Sequence, residues 1–361
     1  MIKFIHTGDV HLGAQLNYGK YNMILGKDRR DDLLSTFLDI IKLAKEEDVD
    51  FLFISGDLYE SKFFTLSQLN NILNIMKSAD NIKIFIVSGN HDPIMENSIW
   101  MSAEIPENVY LFTEQKLKYK EISDKNVRIY GYSWKDYINK DVNLFDDISL
   151  DKNYKNFLLL HGDLNNPSSE YLPLKLEDLQ KLNFDYIALG HIHKSMFYAN
   201  NICYCGSPEP LDFGETGMHG VIYGEMDLKL KLTFRDISKG IFINGEVKID
   251  ENINYLTLKD MILKRYKNKD KKAFLKLTLT GFIDESNRFD LDILQKDLEQ
   301  YFEYLEIEDD TTVNFDIEAI KASNVGNIVG KFVEKMEKLG LENETNRKAL
   351  YLGLEALLLK R

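Results

Sequence analysis

Five short clusters in this chain carry Asp, Asn and His at spacings suited to chemistry. They are Asp9-Val10-His11, Gly56-Asp57, Gly89-Asn90-His91-Asp92, His161-Gly162 and Gly190-His191-Ile192-His193. Carboxylate, amide and imidazole are ligands of a borderline divalent ion such as manganese, iron or zinc. The chain has only seven histidines, and five of them fall in these clusters. Asp9 and His11 are two apart, so in an extended segment they point the same way and can pinch one ion. His191 and His193 can do the same, or divide between two ions. The glycines permit the tight turns that bring backbone in close. Packed core histidines and N-caps are the bland alternative, a weak reading for five clusters together.

Each cluster follows an apolar run. Residues 2–7 read as a strand ending at Gly8-Asp9. Residues 17–28 are polar, with Gly19 and Gly26, and read as a loop. From Arg29 to Glu47, apolar residues recur at helical spacing (Leu33, Phe37, Ile40, Ile41, Ala44). Residues 51–54 are the next strand, 66–76 a second helix, and 84–87 a strand that runs straight into Ser88-Gly89. This β-α-β-α-β run argues for a parallel or mixed α/β sheet, which binds ligands at the carboxyl ends of its strands. Beyond Pro93, residues 109–112, 127–132, 157–160 and 186–189 read as strands, with a short helix at 176–182. Residues 196–204 and 219–236 read as antiparallel strands. Residues 240–254 read as a boundary, followed by a strand at 274–279 between helices at 256–266 and 291–302. The tail, 328–359, reads as two helices separated near 340–345.

The length of 361 residues suggests two or more domains, and 44% hydrophobic with 29% charged residues is ordinary globular composition. The net charge of −13 weighs against gripping DNA by charge alone. It does not exclude a nuclease whose metals and partner supply positive charge. No apolar run is long enough to span a bilayer, and the opening MIKFIHTGDVH lacks the layout of a signal peptide. The expectation is a cytoplasmic protein without membrane contact. Cys203 and Cys205 are poorly placed for a disulfide and read as small, half-buried strand residues.

D-x-H, G-D, G-N-H-D, H-G and G-H-x-H, in that order, resemble the calcineurin-like metallophosphoesterases. The resemblance implies a four-layer α/β/β/α sandwich and two divalent ions, manganese first, with iron or zinc as alternatives. On the family pattern Asp9, His11, Asp57 and His193 hold one ion. Asp57, Asn90, His161 and His191 hold the other, with Asp57 bridging. His91 is not a ligand in this pattern but a general acid, with a pKa near working pH. Asp92 either orients His91 or is a turn carboxylate before Pro93.

A closer resemblance is to the SbcD/YhaO-type DNA-repair exonucleases. It rests on FIHTGDVHLG (4–13), GDLYE (56–60), SGNHDP (88–93), ALGHIHK (188–194) and GSPEPLDFGE (206–215), and covers roughly residues 1–236. It implies a nuclease domain over 1–240, a smaller α+β capping domain over 241–322, and a C-terminal helical segment over 323–361 as a candidate partner-docking element. The implied function is a two-metal DNA phosphodiesterase. It is an exonuclease that can also nick single strands, acting in DNA repair with an SbcC-like, SMC-type ATPase and compatible with a homodimer. Apolar spacing in the tail (Ile328, Val329, Phe332, Val333, Met336, Leu339, Leu350, Leu354, Leu357, Leu358) suits docking onto partner helices, or packing onto the cap.

Some relatives carry a second histidine where this chain has Glu60, which reads as a surface loop residue. A nucleotide or small-molecule phosphodiesterase is the alternative within the same chemistry. A protein phosphatase fits poorly, because the G-D-x-x-D-R-G pattern is missing. An inactive scaffold is the alternative of another class, and the filled ligand positions argue against it. His6 reads as a packed core histidine and His219 as a weaker site-proximal candidate. Trp100 and Trp134 read as packing residues that could instead stack on bases, and Tyr18 and Tyr21 as candidate substrate contacts.

Overall fold

Aromatic side chains at alternate strand positions join two six-stranded sheets. In this computed structural model the described residues are 1–361 except 17–21, 115, 141, 147, 251, 284–288 and 359–361. Tyr18 and Tyr21 therefore lie outside the described residues. The first sheet runs in the order Leu230–Asp236, Gly220–Met226, Ile2–Thr7, Phe51–Ser55, Lys83–Val87, Val109–Leu111. The last four of these strands are parallel, and Gly220–Met226 is antiparallel to both neighbours. The second sheet runs Met196–Ala199, Ile202–Tyr204, Tyr186–Gly190, Lys155–His161, Val127–Gly131, Lys118–Ile122. Its inner four strands are parallel and its outer two antiparallel.

Phe4 and Phe53 of the first sheet meet Phe157 and Tyr186 of the second. Phe4–Tyr186, Phe53–Phe157 and Phe4–Phe157 have ring centroids 4.8, 5.5 and 5.6 Å apart. Each such ring, fully buried, contributes roughly 1.5–3 kcal/mol. Both cysteines belong to this interior, fully buried with free thiols, rather than half-buried as the sequence suggested. On the far side of the second sheet, Leu158, Leu160, Ile187 and Leu189 pack with Leu179 of the helix Leu176–Lys181 and with Phe184. On the far side of the first, Leu52, Ile54, Ile84 and Ile86 point away from the aromatic interior. The helices Asn22–Glu46 and Leu66–Lys77 bring buried Leu33, Phe37, Ile40 and Leu69, Ile72, Leu73. The second helix starts at a capping box in which Thr65 and Gln68 bond each other's backbone N–H. The layers are those the resemblance implied.

Some boundaries differ. The first helix begins at Asn22, inside the stretch read as a loop. Gly26 costs a helix about 1 kcal/mol, too little to stop one carried by its buried stripe. The segment read as a boundary holds a ten-residue strand, Gly240–Ile249, whose inward and outward positions alternate after Asn244-Gly245. The strands Lys118–Ile122 and Tyr304–Val313 were hidden by their charge.

The chain divides into two compact units, 1–241 and 242–361. The second carries strands in the order Gly240–Ile249, Lys272–Ile283, Tyr304–Val313, the last two parallel, with the helices Tyr255–Tyr266 and Leu291–Glu299. Three more helices follow: Ile317–Ser323, Ile328–Leu339 and Glu344–Leu358. Val329, Val333 and Met336 pack with Leu350 and Leu354. Among the described residues no helix is long and apolar enough to cross a membrane.

One buried carboxylate ties the first helix to the segment 206–215. Glu209 accepts from Arg29 Nη1–H (2.7 Å), Thr36 Oγ1–H (2.9 Å) and the backbone N–H groups of Lys239 and Gly240 (both 2.7 Å). Both charged partners are at most 1% exposed. Arg29 also pairs with Asp32 at 2.9 Å, so removing Glu209 takes one of its two carboxylates together with the acceptor of Thr36, Lys239 and Gly240. Glu209→Ala is expected to cost about 1–3 kcal/mol of stability, read from the shift in urea midpoint of unfolding.

Candidate metal centre

All five clusters lie where parallel strands of the two sheets end. Ile2–Thr7, Phe51–Ser55 and Lys83–Val87 lead to Asp9, Asp57 and Asn90; Lys155–His161 and Tyr186–Gly190 lead to His161 and His191. The first two loops run side by side. The N–H groups of Asp9, His11 and Leu12 donate to the carbonyls of Gly56, Asp57 and Leu58, each at 3.0 Å. The third loop is laced to the second by Asp92, buried beneath them. Its carboxylate accepts from the backbone N–H groups of Gly89 (2.7 Å), Leu58 (3.0 Å) and Asp57 (3.2 Å). Burial and the neighbouring Asp57 carboxylate push its pKa up to about 7, against the pull of those bonds. Among the described residues no bond links Asp92 to the His91 ring. Of the two readings from sequence, the turn carboxylate is the one its bonds match, and its reach extends to the neighbouring loop.

Three sets of side chains each bring one ligand atom apiece within 4.8 Å of one another. They are Asp9, His11 and His193; Asp9, Asp57 and His161; and His11, Asp57 and His91. Asn90 joins them through Oδ1, 3.0 Å from His161 Nε2. His191 enters through its backbone N–H, which donates to Asp9 at 2.9 Å, while its ring centroid lies 5.2 Å from that of His161. Asp57 stands between the groups, with Oδ2 at 3.2 Å from His161 Nε2 and 3.8 Å from His11 Nε2.

Asp9 and His11 do face one centre, but not because the segment is extended. Asp9, His11, Asp57 and His191 have φ of 51°, 50°, 52° and 105°. Positive φ is uncommon for residues with a Cβ, less so for Asp and His, and costs of the order of 1–3 kcal/mol where it is held. Four site residues thus sit in strained backbone, fixed by the loops' mutual hydrogen bonds.

The histidine tautomers follow from the partners behind each ring. His161 Nδ1–H donates to the Ser55 carbonyl (2.9 Å), His11 Nδ1–H to Glu60 (2.8 Å) and His193 Nδ1–H to Glu215 (2.6 Å). Each Nε2 is therefore a lone pair directed inward. His11 Nε2 and His193 Nε2 lie 3.0 Å apart. Two lone pairs at that distance, beside the carboxylates of Asp9 and Asp57, repel unless a cation lies among them. This donor set fits divalent metal, and second partners that orient ligating histidines are usual at such sites. The electrostatics show the same demand for positive charge. Burial opposes charge on His161 and His193, yet Asp57 and Asp9 for the first, and Glu215 and Asp9 for the second, raise both to about 9, so a bound cation would take the place of the Nε2 protons. Burial would likewise raise Asp57, but the charges of His161, His11 and His91 outweigh it and hold its carboxyl below the usual range. Burial and His161 lower His191 to about 4.

Two acidic residues at the site differ from the sequence reading: Glu60 was read as a surface loop residue, and Glu215 was not singled out. Glu60 is no surface residue: it bonds His11 and, through its other oxygen, His91 Nδ1 at 2.9 Å. Glu215 closes the segment 206–215, and that position was its only sequence signal. It also accepts from Ser207 Oγ–H and the Leu211 N–H. His219 lies behind it, its Nδ1 2.9 Å from Ser207 Oγ. His6 is a core residue, bonded to Tyr186 and Ser55, and burial takes its pKa down to about 3. Trp100 and Trp134 are both buried, and Trp134 Nε1–H donates to the His161 carbonyl at 2.8 Å.

Residues 2–195 match the family described as Calcineurin-like phosphoesterase, and the chain belongs to that family. Its relatives include an uncharacterized metallophosphoesterase, YhaO, of Bacillus subtilis, 28% identical over 61% of this chain and 56% of that protein. They also include two proteins named DNA double-strand break repair protein Mre11. That of Saccharolobus solfataricus is 25% identical over 96% of this chain and 93% of its own length. That of Methanocaldococcus jannaschii is 31% identical over 57% of this chain and 56% of its own. The chain thus spans about half the length of the first and third of these relatives.

Gly89 lies against the centre. A Cβ there would stand 2.2 Å from Asp57 Oδ1 and 2.7 Å from His161 Nε2. Gly89→Ala is expected to displace both groups and weaken manganese binding by about 10–100-fold, measured by titration calorimetry.

Proposed function

We propose that this chain is a DNA phosphodiesterase that works with two divalent ions, an exonuclease that also nicks single strands. The observation that carries this reading is the convergence of inward Nε2 lone pairs on the carboxylates of Asp9 and Asp57. Asp9, His11, Asp57 and His193 would hold one ion, and Asp57, Asn90, His161 and His191 the other. The place of Asp57 between His161 and His11 supports its bridging role. Ions so held would polarise a phosphate and supply an activated water as nucleophile, and manganese suits the Asp, Asn and His set. DNA as substrate is supported by the name, DNA double-strand break repair protein, of the Mre11 relative that aligns along nearly all of its length.

The chain's own groups then have distinct tasks. His91 is partly exposed, at 42% of its side chain, with Nδ1–H held by Glu60. In the doubly protonated ring, its Nε2–H is left to give a proton to the leaving oxygen. The His91 backbone N–H donates to Asp57 Oδ1 at 2.8 Å, so acid and bridging ligand keep a fixed spacing. Asp92 sets that spacing from below.

A nuclease domain over 1–240, a cap over 241–322 and a docking segment over 323–361 complete the reading. The tail helices bury one apolar face against each other and leave Ile328, Leu339, Leu352 and Leu357 exposed. Tyr351 meets Phe282 and Phe315 of the same unit, so cap packing accounts for part of the tail. The exposed set supports docking onto an SbcC-like, SMC-type ATPase, whose basic groups would offset the chain's acidity on DNA.

Manganese-supplemented enzyme should degrade labelled duplex and single-stranded DNA, with His91→Ala slower by about 10²–10⁴-fold at unchanged metal content. Asp57→Ala should lose both ions by elemental analysis. Turnover confined to a generic phosphodiester makes the chain a small-molecule enzyme, and none on either makes it a scaffold. Deleting 324–361 should weaken co-purification with the ATPase, and unchanged recovery would assign the tail to the cap.

A further inference from the structure

Glu60 sits where three site loops meet. Its backbone N–H donates to the Leu12 carbonyl, the next N–H, of Ser61, donates to the His91 carbonyl, and its own carbonyl accepts from Phe63 and Phe64, all at 3.0 Å. The side chain is 17% exposed, and each oxygen is committed to a different ring. Oε1 accepts from His11 Nδ1–H at 2.8 Å and Oε2 from His91 Nδ1–H at 2.9 Å. The two imidazoles stand edge to face, centroids 4.7 Å apart and 84° between planes. On the roles proposed above, one carboxylate therefore faces a ligand ring and the ring of the acid.

We propose that Glu60 is a positioning residue shared by His11 and His91, accepting the Nδ1–H of both rings so that His11 offers an Nε2 lone pair to metal while His91, protonated at both nitrogens when it acts as the acid, aims its Nε2–H at the leaving group. The inference rests on the reading of those two histidines given above. A carboxylate suits the task because it is acceptor-only at both oxygens and can take a proton donor from each ring at once. A histidine at this position has two ring nitrogens, one a donor when neutral, and cannot accept from both. Fixing a ring and its tautomer through the nitrogen away from the chemistry is the usual way to prepare a ligand or an acid. Here one group does so for both, and its own backbone is held from each side.

Glu60→Gln tests this with little change of shape. An amide presents one acceptor and one donor, so only one ring can keep its Nδ1–H bond. The other must turn a lone pair to the amide and carry its proton on Nε2. With imidazole-¹⁵N-labelled, zinc-loaded protein, long-range ¹H–¹⁵N spectra should show one of the two rings lose its Nδ1–H, which for His11 also means release of zinc. Manganese affinity by calorimetry should fall about 10–100-fold if that ring is His11. Turnover of bis(4-nitrophenyl) phosphate should fall about 10²–10⁴-fold in kcat, with KM within twofold, if it is His91. Glu60→Asp, one methylene short, should release one ring while keeping the charge, and its spectra decide the matter if the amide variant does not fold. Wild-type tautomers at both rings in the variant, with affinity and kcat within twofold, would overturn the proposal. If instead wild-type protein binds no manganese, or His91→Ala turns over normally, the functional reading fails, and the variant's spectra still report whether Glu60 fixes the rings.

Discussion

Acceptor atoms crowded into one small volume are the constraint on which this structure is built. Carboxylate oxygens of Asp9 and Asp57 and ring nitrogens of His11, His161 and His193 come within 4.8 Å of one another in overlapping sets. Left alone, such atoms would turn away or take up protons. They are kept facing inward because the opposite side of each ring is engaged by the Ser55 carbonyl, Glu60 or Glu215. Much of the fold answers this demand. Parallel strands from two sheets end at the same place, so five loops converge without a long excursion from any one of them.

The convergence brings local strain with it. Positive φ at Asp9, His11, Asp57 and His191 departs from what those residues prefer. The surrounding hydrogen bonds over-determine the loops: the first two are paired along their length, and Asp92 binds three backbone N–H groups at once. A rigid first layer with a hydrogen-bonded second layer is what precise placement of reacting groups requires. Even the packing residues contribute, since Trp134 holds the carbonyl of His161 from the buried side.

The site was more legible in the sequence than the elements around it. The clusters at strand ends could be read because Gly, Asp, Asn and His after an apolar run have few bland uses. Phe51–Ser55 and Lys83–Val87 were legible from their apolar runs, which parallel sheets bury on both faces, and Ile2–Thr7 from apolar residues leading into Gly8-Asp9. Tyr304–Val313 was not, because its EIEDD core carries charge on an edge strand, where charge is tolerated. The start of the first helix was obscured by Gly26, and Gly240–Ile249 by Asn244-Gly245, a pair that usually marks a turn. The role of Glu60, and Glu215 altogether, were hidden for another reason. Nothing local distinguishes a loop glutamate from one held against an imidazole, and Glu215 is 22 residues from its partner His193. Their roles exist only in the tertiary structure.

The segment 206–215 holds two of these glutamates a few residues apart, and that adjacency makes stability and metal occupancy thermodynamically linked. Glu209 secures one end to the buried Arg29 of the first helix, while Glu215 secures the other to His193. A cation that binds only the ordered arrangement draws the whole chain toward it by mass action, and the relation runs both ways. Helix, strap and ligand then share one folding equilibrium. A surface far from the phosphate can be selected for through the metal it helps to retain, and the metal can act as a structural element of a helix it never touches.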